Sequence, residues 1–171
     1  MGQEIERKWL VDPQHYSQWC RSDCVLITQS YLPDSPNVRV RTIGNCALIT
    51  IKGSTSEDGT TRSEFEYPIP YNDANEMLAM GSHVPIQKYR HSINVPINHF
   101  SNFGIARTNT VLTATIDVYV GMHSSLVIAE IEFNNEEDCM FFDSPPTWFG
   151  REVTDDPAFK NSALYGVPYK V

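Results

Sequence analysis

No apolar run in this chain approaches the roughly 20 residues that span a bilayer, so no membrane helix is expected. The N-terminal residues alternate in charge and lack the apolar stretch of a secretory signal. Glu6 stands where an N-myristoylation motif needs Ser or Thr, and the expected location is the cytoplasm. Cysteine is scarce. Cys20, Cys24, Cys46 and Cys139 are spaced as neither a disulfide framework nor a zinc knuckle, and reduced thiols are expected. His15, His83, His91, His99 and His123 form no recognisable ligand cluster. There is no Ser-His-Asp or Cys-His constellation, and Gly53-Ser54-Thr55-Ser56 after Lys52 is not a P-loop. Basic residues are also in deficit, 13 Lys+Arg against 21 Asp+Glu for a net charge of −8. Such a field repels nucleic acid and anionic membrane alike, so neither is expected as a partner.

What the chain does have is a period of two. With 171 residues, 41% hydrophobic, and no linker or repeat to divide them, one core and one domain spanning 1–171 are expected. Strands are predicted over Glu4–Val11, Thr28–Leu32, Asn37–Ile43, Ala47–Lys52, Arg62–Ile69, Ile86–Val95, Val111–Val120 and Leu126–Phe133. Gly44-Asn45 reads as a tight hairpin turn, and Gly53 to Thr61 as a longer hairpin loop. Helices are predicted over His15–Cys24, over Ala74–Met80 capped by Asn72-Asp73, and from Asn134 through about Phe142. The tail from Trp148 mixes turns with one short helix. The pattern is that of an α+β protein built on an antiparallel sheet or barrel.

The charges share the strand period. Residues i and i+2 of a strand face the same way. Glu4/Glu6/Lys8, Arg39/Arg41, Glu64/Glu66, Lys88/Arg90 and Glu130/Glu132 all sit at that spacing, with Lys52, Arg62 and Asp117 on further strands. A solvated face usually mixes in Ser, Thr, Gln and Asn, whereas most of these pairs are fully ionic. If the sheet closes, the ionic face lines a lumen and the apolar face packs outward against helices. Buried like charges need a counter-charge between them. Lys8, Arg39, Arg41, Lys52, Arg62, Lys88 and Arg90 then require an anion with many oxygens. Glu4, Glu6, Glu64, Glu66, Asp117, Glu130 and Glu132 require cations. A polyphosphate with Mg²⁺ or Mn²⁺ meets both demands.

The segments Glu4-Ile5-Glu6-Arg7-Lys8, Gln29 to Leu32, Val38 to Arg41, Leu48 to Gly53, Arg62 to Glu66, Lys88 to Arg90, Ala129 to Phe133 and Glu152 to Thr154 occur in an order that resembles the CYTH domains, also called triphosphate tunnel metalloenzymes. The resemblance covers nearly the whole chain and is greatest to the compact bacterial members. It implies an eight-stranded antiparallel β-barrel tunnel with peripheral helices, a small-molecule triphosphate substrate and dependence on Mg²⁺ or Mn²⁺. The seven basic residues would hold phosphates. Glu4, Glu6, Glu130 and Glu132 would surround metal, with Glu64, Glu66 and Asp117 as further candidates. Homodimers are frequent in the family.

Two departures stand out. Ala114-Thr115 replace the aromatic and acidic residues that often precede Asp117, which thins the acidic wall. Arg151 and Lys160, near the family's closing region, are additional site candidates. Hydrolysis of inorganic tripolyphosphate to pyrophosphate and phosphate is the leading expectation. Class IV adenylate cyclase and thiamine triphosphatase are the enzymatic alternatives, and a non-catalytic polyphosphate- or nucleotide-binding module is the alternative of another class.

Overall fold

Alternating apolar and charged side chains can bury both faces of a sheet only if one face finds a covering layer and the other closes on itself. The computed structural model shows both outcomes; it describes residues 2–12, 14–15, 24–33, 35–55, 57, 60–95, 112–143 and 145–169. Its strands are β1 (Gly2–Val11), β2 (Cys24–Leu32), β3 (Ser35–Ile43), β4 (Cys46–Thr55), β5 (Thr61–Pro68), β6 (Ile86–Val95), β7 (Leu112–Tyr119), β8 (Val127–Glu132) and β9 (Phe149–Glu152). Three helices accompany them: α1 (Tyr71–Ala79), α2 (Glu136–Phe141) and α3 (Asn161–Leu164). The sheet order is β5-β4-β3-β2-β6-β7-β8-β1, and β1 pairs with β5 to close an antiparallel barrel of eight strands. The fold is the α+β barrel with peripheral helices that the family resemblance implies; the strand pattern leaves sheet and barrel open.

The apolar set faces outward. Ile5 and Trp9 of β1, Ala114 and Ile116 of β7, and Ala129 and Ile131 of β8 are buried together with Cys139 and Phe142 at α2. On the other side, Val40 and Ala47 are covered by Ala74 and Leu78 of α1. A third cluster fills one end of the lumen, where Tyr31, Ile86, Tyr119 and Ile128 meet Val153, Phe159 and Leu164 of the C-terminal segment. That segment is fastened at several points. Val153 N–H donates to the Lys8 carbonyl at 2.8 Å, and Lys8 N–H donates to Thr154 Oγ1 at 3.0 Å. Further along, Tyr165 Oη lies 2.8 Å from Ser30 Oγ, and His123 Nε2 lies 3.0 Å from the Leu164 carbonyl oxygen. Gly81 permits this closeness, because a Cβ there would lie 2.1 Å from Ser30 Oγ and 2.2 Å from Tyr165 Oη.

The structure corrects several boundaries. β2 starts at Cys24, well before the expected Thr28, because its first residues pair in register with β6 from Cys24 opposite His91. The rest of the helix predicted over His15–Cys24 lies outside the described residues, except that His15 belongs to a single 3₁₀ turn. β4 runs on to Thr55, so the loop expected from Gly53 is shorter. α1 begins at Tyr71 instead of Ala74; Ala74 N–H donates to the Pro70 carbonyl, and no side chain caps the helix. The Gly44-Asn45 turn is as expected, with Gly44 at φ 55°. At α2 the cap is Asn135, whose side chain accepts from Asp138 N–H. β9 is an addition. Its residues show no apolar alternation and are recruited by backbone pairing with Trp9 and Val11 of β1. Gly150 allows the approach, since a Cβ there would lie 2.9 Å from the Leu10 carbonyl oxygen. Among the described residues no helix is long and apolar enough to cross a membrane, and no disulfide joins Cys24, Cys46 or Cys139; Cys20 and His99 lie outside them.

Candidate active site

Closing the barrel turns the inward i, i+2 charges of separate strands into one set. Antiparallel register puts Glu4 opposite Arg62, Glu6 opposite Glu132, Lys8 opposite Glu130, Lys52 opposite Glu64 and Arg90 opposite Asp117. They surround a cavity of about 1070 Å³. All fourteen residues singled out in the sequence line it except Lys88 and Asp117. Those two form a buried ion pair deeper in the wall, where Lys88 Nζ and both Arg90 Nε and Nη2 (each at 2.7 Å) hold the Asp117 carboxylate. Burial alone would raise the Asp117 pKa, but Lys88 and Arg90 outweigh it and hold the carboxyl below its ordinary value.

The remaining charges form a continuous network. Lys8 Nζ lies 3.1 Å from Glu6 and 2.9 Å from Glu130, which also receives Arg90 at 2.8 Å. Arg62 binds Glu4 and reaches Glu6 at 3.1 Å, while Lys52 reaches Glu4 at 3.3 Å and Glu64 at 2.5 Å. Arg39 lies 3.5 Å from Glu64, and Arg41 lies 2.5 Å from Glu66. Both ends of this network are short of counter-charge. Burial, then neighbouring Arg39, pushes the pKa of Arg41 and Lys52 below their ordinary values despite their acidic partners. The Nε atoms of Arg39 and Arg41 are buried and have no hydrogen-bond partner. Buried donors of this kind are costly unless an acceptor arrives. On the opposite side, burial and then repulsion from Glu4, Glu6, Glu64 and Glu130 push Glu132 above the usual carboxylate range. One wall calls for an anion and the other for a cation.

Residues 2–138 match the CYTH domain. The chain belongs to the CYTH domain family. An inorganic triphosphatase of Acetivibrio thermocellus is 36% identical over 173 residues, covering 99% of this chain and 97% of that protein. An inorganic triphosphatase of Nitrosomonas europaea is 32% identical over 164 residues, covering 94% of this chain and 95% of that protein. A crystal structure of an inorganic triphosphatase, 28% identical, superimposes with a TM-score of 0.62 over 96% of this chain and 95% of its own.

Membership of the CYTH family implies a divalent metal. The donors of the acidic wall are all carboxylate oxygens, the hard ligands that divalent cations of the Mg²⁺ type prefer. Among the described residues no three acids are already grouped to hold an ion, because Arg62, Lys52 and Lys8 draw Glu4, Glu6 and Glu130 toward themselves. Glu132 is the acid without a cation partner among the described residues, and repulsion by its neighbours marks where positive charge is missing. The chemistry of the donor set fits such an ion.

This repulsion has a measurable sign. A carboxyl whose folded pKa is raised destabilises the fold at pH values above that pKa, and the effect vanishes below the unfolded value of 4.5. Glu132→Gln should therefore raise the Tm of metal-free protein modestly at pH 7 and leave it unchanged near pH 4. The Tm gain that wild type obtains from added Mg²⁺ should shrink in the variant, measured by thermal melts with and without metal.

Sequence parity also reaches residues that charge alone did not mark. Tyr31 and Thr115 share the inward face of their strands and line the cavity. Thr50 bridges Arg39, at 3.3 Å, to Glu66, at 2.7 Å. Lys160 lines the cavity with Asn161 and Ser162, whereas Arg151 is exposed and pairs with Asp156 at 3.4 Å. No periodicity in the tail could have identified Asn161 or Ser162.

Proposed function

We propose that this CYTH domain hydrolyses inorganic tripolyphosphate to pyrophosphate and phosphate, using Mg²⁺ or Mn²⁺. The observation that carries this reading is the pair of unsatisfied walls: cavity-lining arginines with buried Nε donors that lack an acceptor on one side, repelling carboxylates around Glu132 on the other. The names of the curated relatives agree with it.

In this reading Lys8, Arg39, Arg41, Lys52, Arg62 and Arg90 hold the phosphate oxygens, with Lys88 acting on Arg90 and Glu130 from behind. Arginine suits this task because its planar fork engages phosphate oxygens in pairs. The carboxylates that those cations now occupy are released as phosphate takes their place, and Glu4, Glu6, Glu132 and Glu130 are then free to hold a metal, with Glu64 and Glu66 next to them. When bound, the metal supplies Lewis-acid polarisation of a phosphoryl oxygen and orientation of water. The overall change adds the oxygen of water to the terminal phosphorus and breaks its bond to the bridging oxygen, which leaves on pyrophosphate. The fixed cations offset charge on that departing group without reorganising. We take residues 1–171 as one domain, since the segment after residue 138 closes the lumen, and a homodimer acting on this small-molecule substrate in the cytoplasm as the working assembly.

A substrate panel tests this directly. Phosphate release from tripolyphosphate with Mg²⁺ and with Mn²⁺ should exceed that from pyrophosphate, ATP and thiamine triphosphate, and a chelator should abolish it. Cyclic AMP as the dominant product from ATP would establish the cyclase alternative. Tight binding without turnover under either metal would establish a binding module. Stacking of an organic group on Trp9 is unavailable, because Trp9 is 2% exposed and packed against Phe142 and Phe149.

A further inference from the structure

The closed end of the lumen carries a neutral donor beside the charged set. Asn161, the first residue of α3, lines the cavity. Its side-chain oxygen accepts a hydrogen bond of 2.7 Å from the hydroxyl of Tyr119. Tyr119 is itself 1% exposed on β7, opposite Lys88 in the β6–β7 register, and its ring lies 5.3 Å from Lys88 Nζ. An amide has one acceptor branch and one donor branch. With Oδ1 committed to a buried hydroxyl, Nδ2 is turned to the other side. No described residue accepts from that Nδ2, and it is not among the buried polar atoms left without a partner, so it is an accessible donor on a residue that lines the cavity.

The backbone holds this arrangement in place. The carbonyl of Asn161 accepts from Tyr165 N–H at 3.1 Å, and Tyr165 Oη is tied to Ser30 and to the backbone of His83. The amide is therefore held through its side-chain oxygen and its backbone on a residue that lines the cavity.

We propose that Asn161 is a substrate-binding residue that donates from Nδ2 to a phosphate oxygen at the closed end of the cavity, and that Tyr119 is the positioning residue that fixes the orientation of its amide. This proposal rests on the triphosphatase reading, because the acceptor is a phosphate oxygen of that substrate. A neutral donor here adds a contact without adding to the repulsion among the cations, which already depresses Arg41 and Lys52.

The test compares Asn161→Asp, Asn161→Ala and Tyr119→Phe with wild type, reading KM and kcat for tripolyphosphate, calorimetric binding of tripolyphosphate without metal, and Tm. Asn161→Asp keeps the size of the side chain and the acceptor for Tyr119 but replaces the donor with an anion that also repels phosphate, so the uncharged Asn161→Ala isolates the donor. Asn161→Asp should raise KM and weaken binding by about tenfold or more, with Tm little changed, as loss of a hydrogen bond to a charged partner predicts. Tyr119→Phe should raise KM by a smaller factor, and the Tyr119→Phe/Asn161→Ala double variant should be no worse in KM than Asn161→Ala, since Tyr119 acts through Asn161. Asn161→Asp and Asn161→Ala with KM and binding both within about twofold of wild type would overturn the proposal. So would effects of Tyr119→Phe and Asn161→Ala that simply add. If Asn161→Ala folds poorly, Asn161→Leu, uncharged, of similar size and without the donor, decides with the binding measurement. Wild-type protein that neither binds nor hydrolyses tripolyphosphate marks failure of the function itself, which the variants do not address.

Discussion

Replacing Glu4 with alanine should lower kcat for tripolyphosphate by about 100-fold or more while leaving KM within a few-fold of wild type. Glu4 is the acid on which Lys52, at 3.3 Å, and Arg62 converge. Its removal frees two phosphate-holding cations, so substrate binding has no reason to weaken. What is lost is a carboxylate of the acidic wall, and with it part of the seat for a divalent ion. The concentration of Mg²⁺ or Mn²⁺ giving half-maximal activity should rise accordingly. Steady-state kinetics over a metal titration checks this, and a kcat within tenfold of wild type at saturating metal would refute the assignment. The metal titration is the informative readout, because a smaller amount of folded protein would lower apparent kcat without changing KM or the metal concentration that gives half-maximal activity.

Asp117→Asn should cost about 3–5 kcal/mol of stability, the usual effect of removing one partner from a buried ion pair. For a chain of this length that is a fall in Tm on the order of 10 °C. Asp117 is fully buried and Lys88 is 1% exposed, so the ammonium left behind has no solvent to replace its partner. Glu130 still attracts Lys88, but it is engaged by Lys8 at 2.9 Å and Arg90 at 2.8 Å and makes no ion pair with Lys88. A second substitution gives the contrast: Lys88→Met together with Asp117→Asn should recover much of the loss, because an uncharged pair no longer pays desolvation for an isolated cation. The pH dependence follows the same pair. The Asp117 pKa is held below its ordinary 3.8, so the stability it confers is complete above that value and is lost as pH falls through the depressed value. Thermal melts of wild type and Asp117→Asn across acid pH should therefore converge as pH is lowered.

These two acids divide a set that looks uniform in sequence. Glu4 and Asp117 each lie within a strand, and each has inward parity. Strand periodicity made that parity legible, as it did for the five other acids and all seven cations, because side-chain direction in a strand depends only on counting. Depth along the barrel is not written in the pattern. It depends on the stagger between strands and on what fills the lumen, and here Ile86, Tyr119, Ile128 and the C-terminal segment bury the end that holds Lys88 and Asp117. β9 was illegible for a related reason: Gly150, Arg151 and Glu152 are exposed, so no apolar alternation announces a strand made by backbone pairing alone.

The sequence by itself determined the strand-borne ionic face, the outward apolar face and the family. All three follow from side-chain parity and from the order of short charged motifs. The tertiary structure decided which charges meet. It set Lys8 between Glu6 and Glu130, left the Nε atoms of Arg39 and Arg41 without acceptors, and gathered acids around Glu132. It also brought Asn161 from the tail to the hydroxyl of Tyr119. Such meetings depend on closure between β1 and β5 and on the course of the C-terminal segment. They are contacts between residues far apart in the chain, and local periodicity carries no information about them.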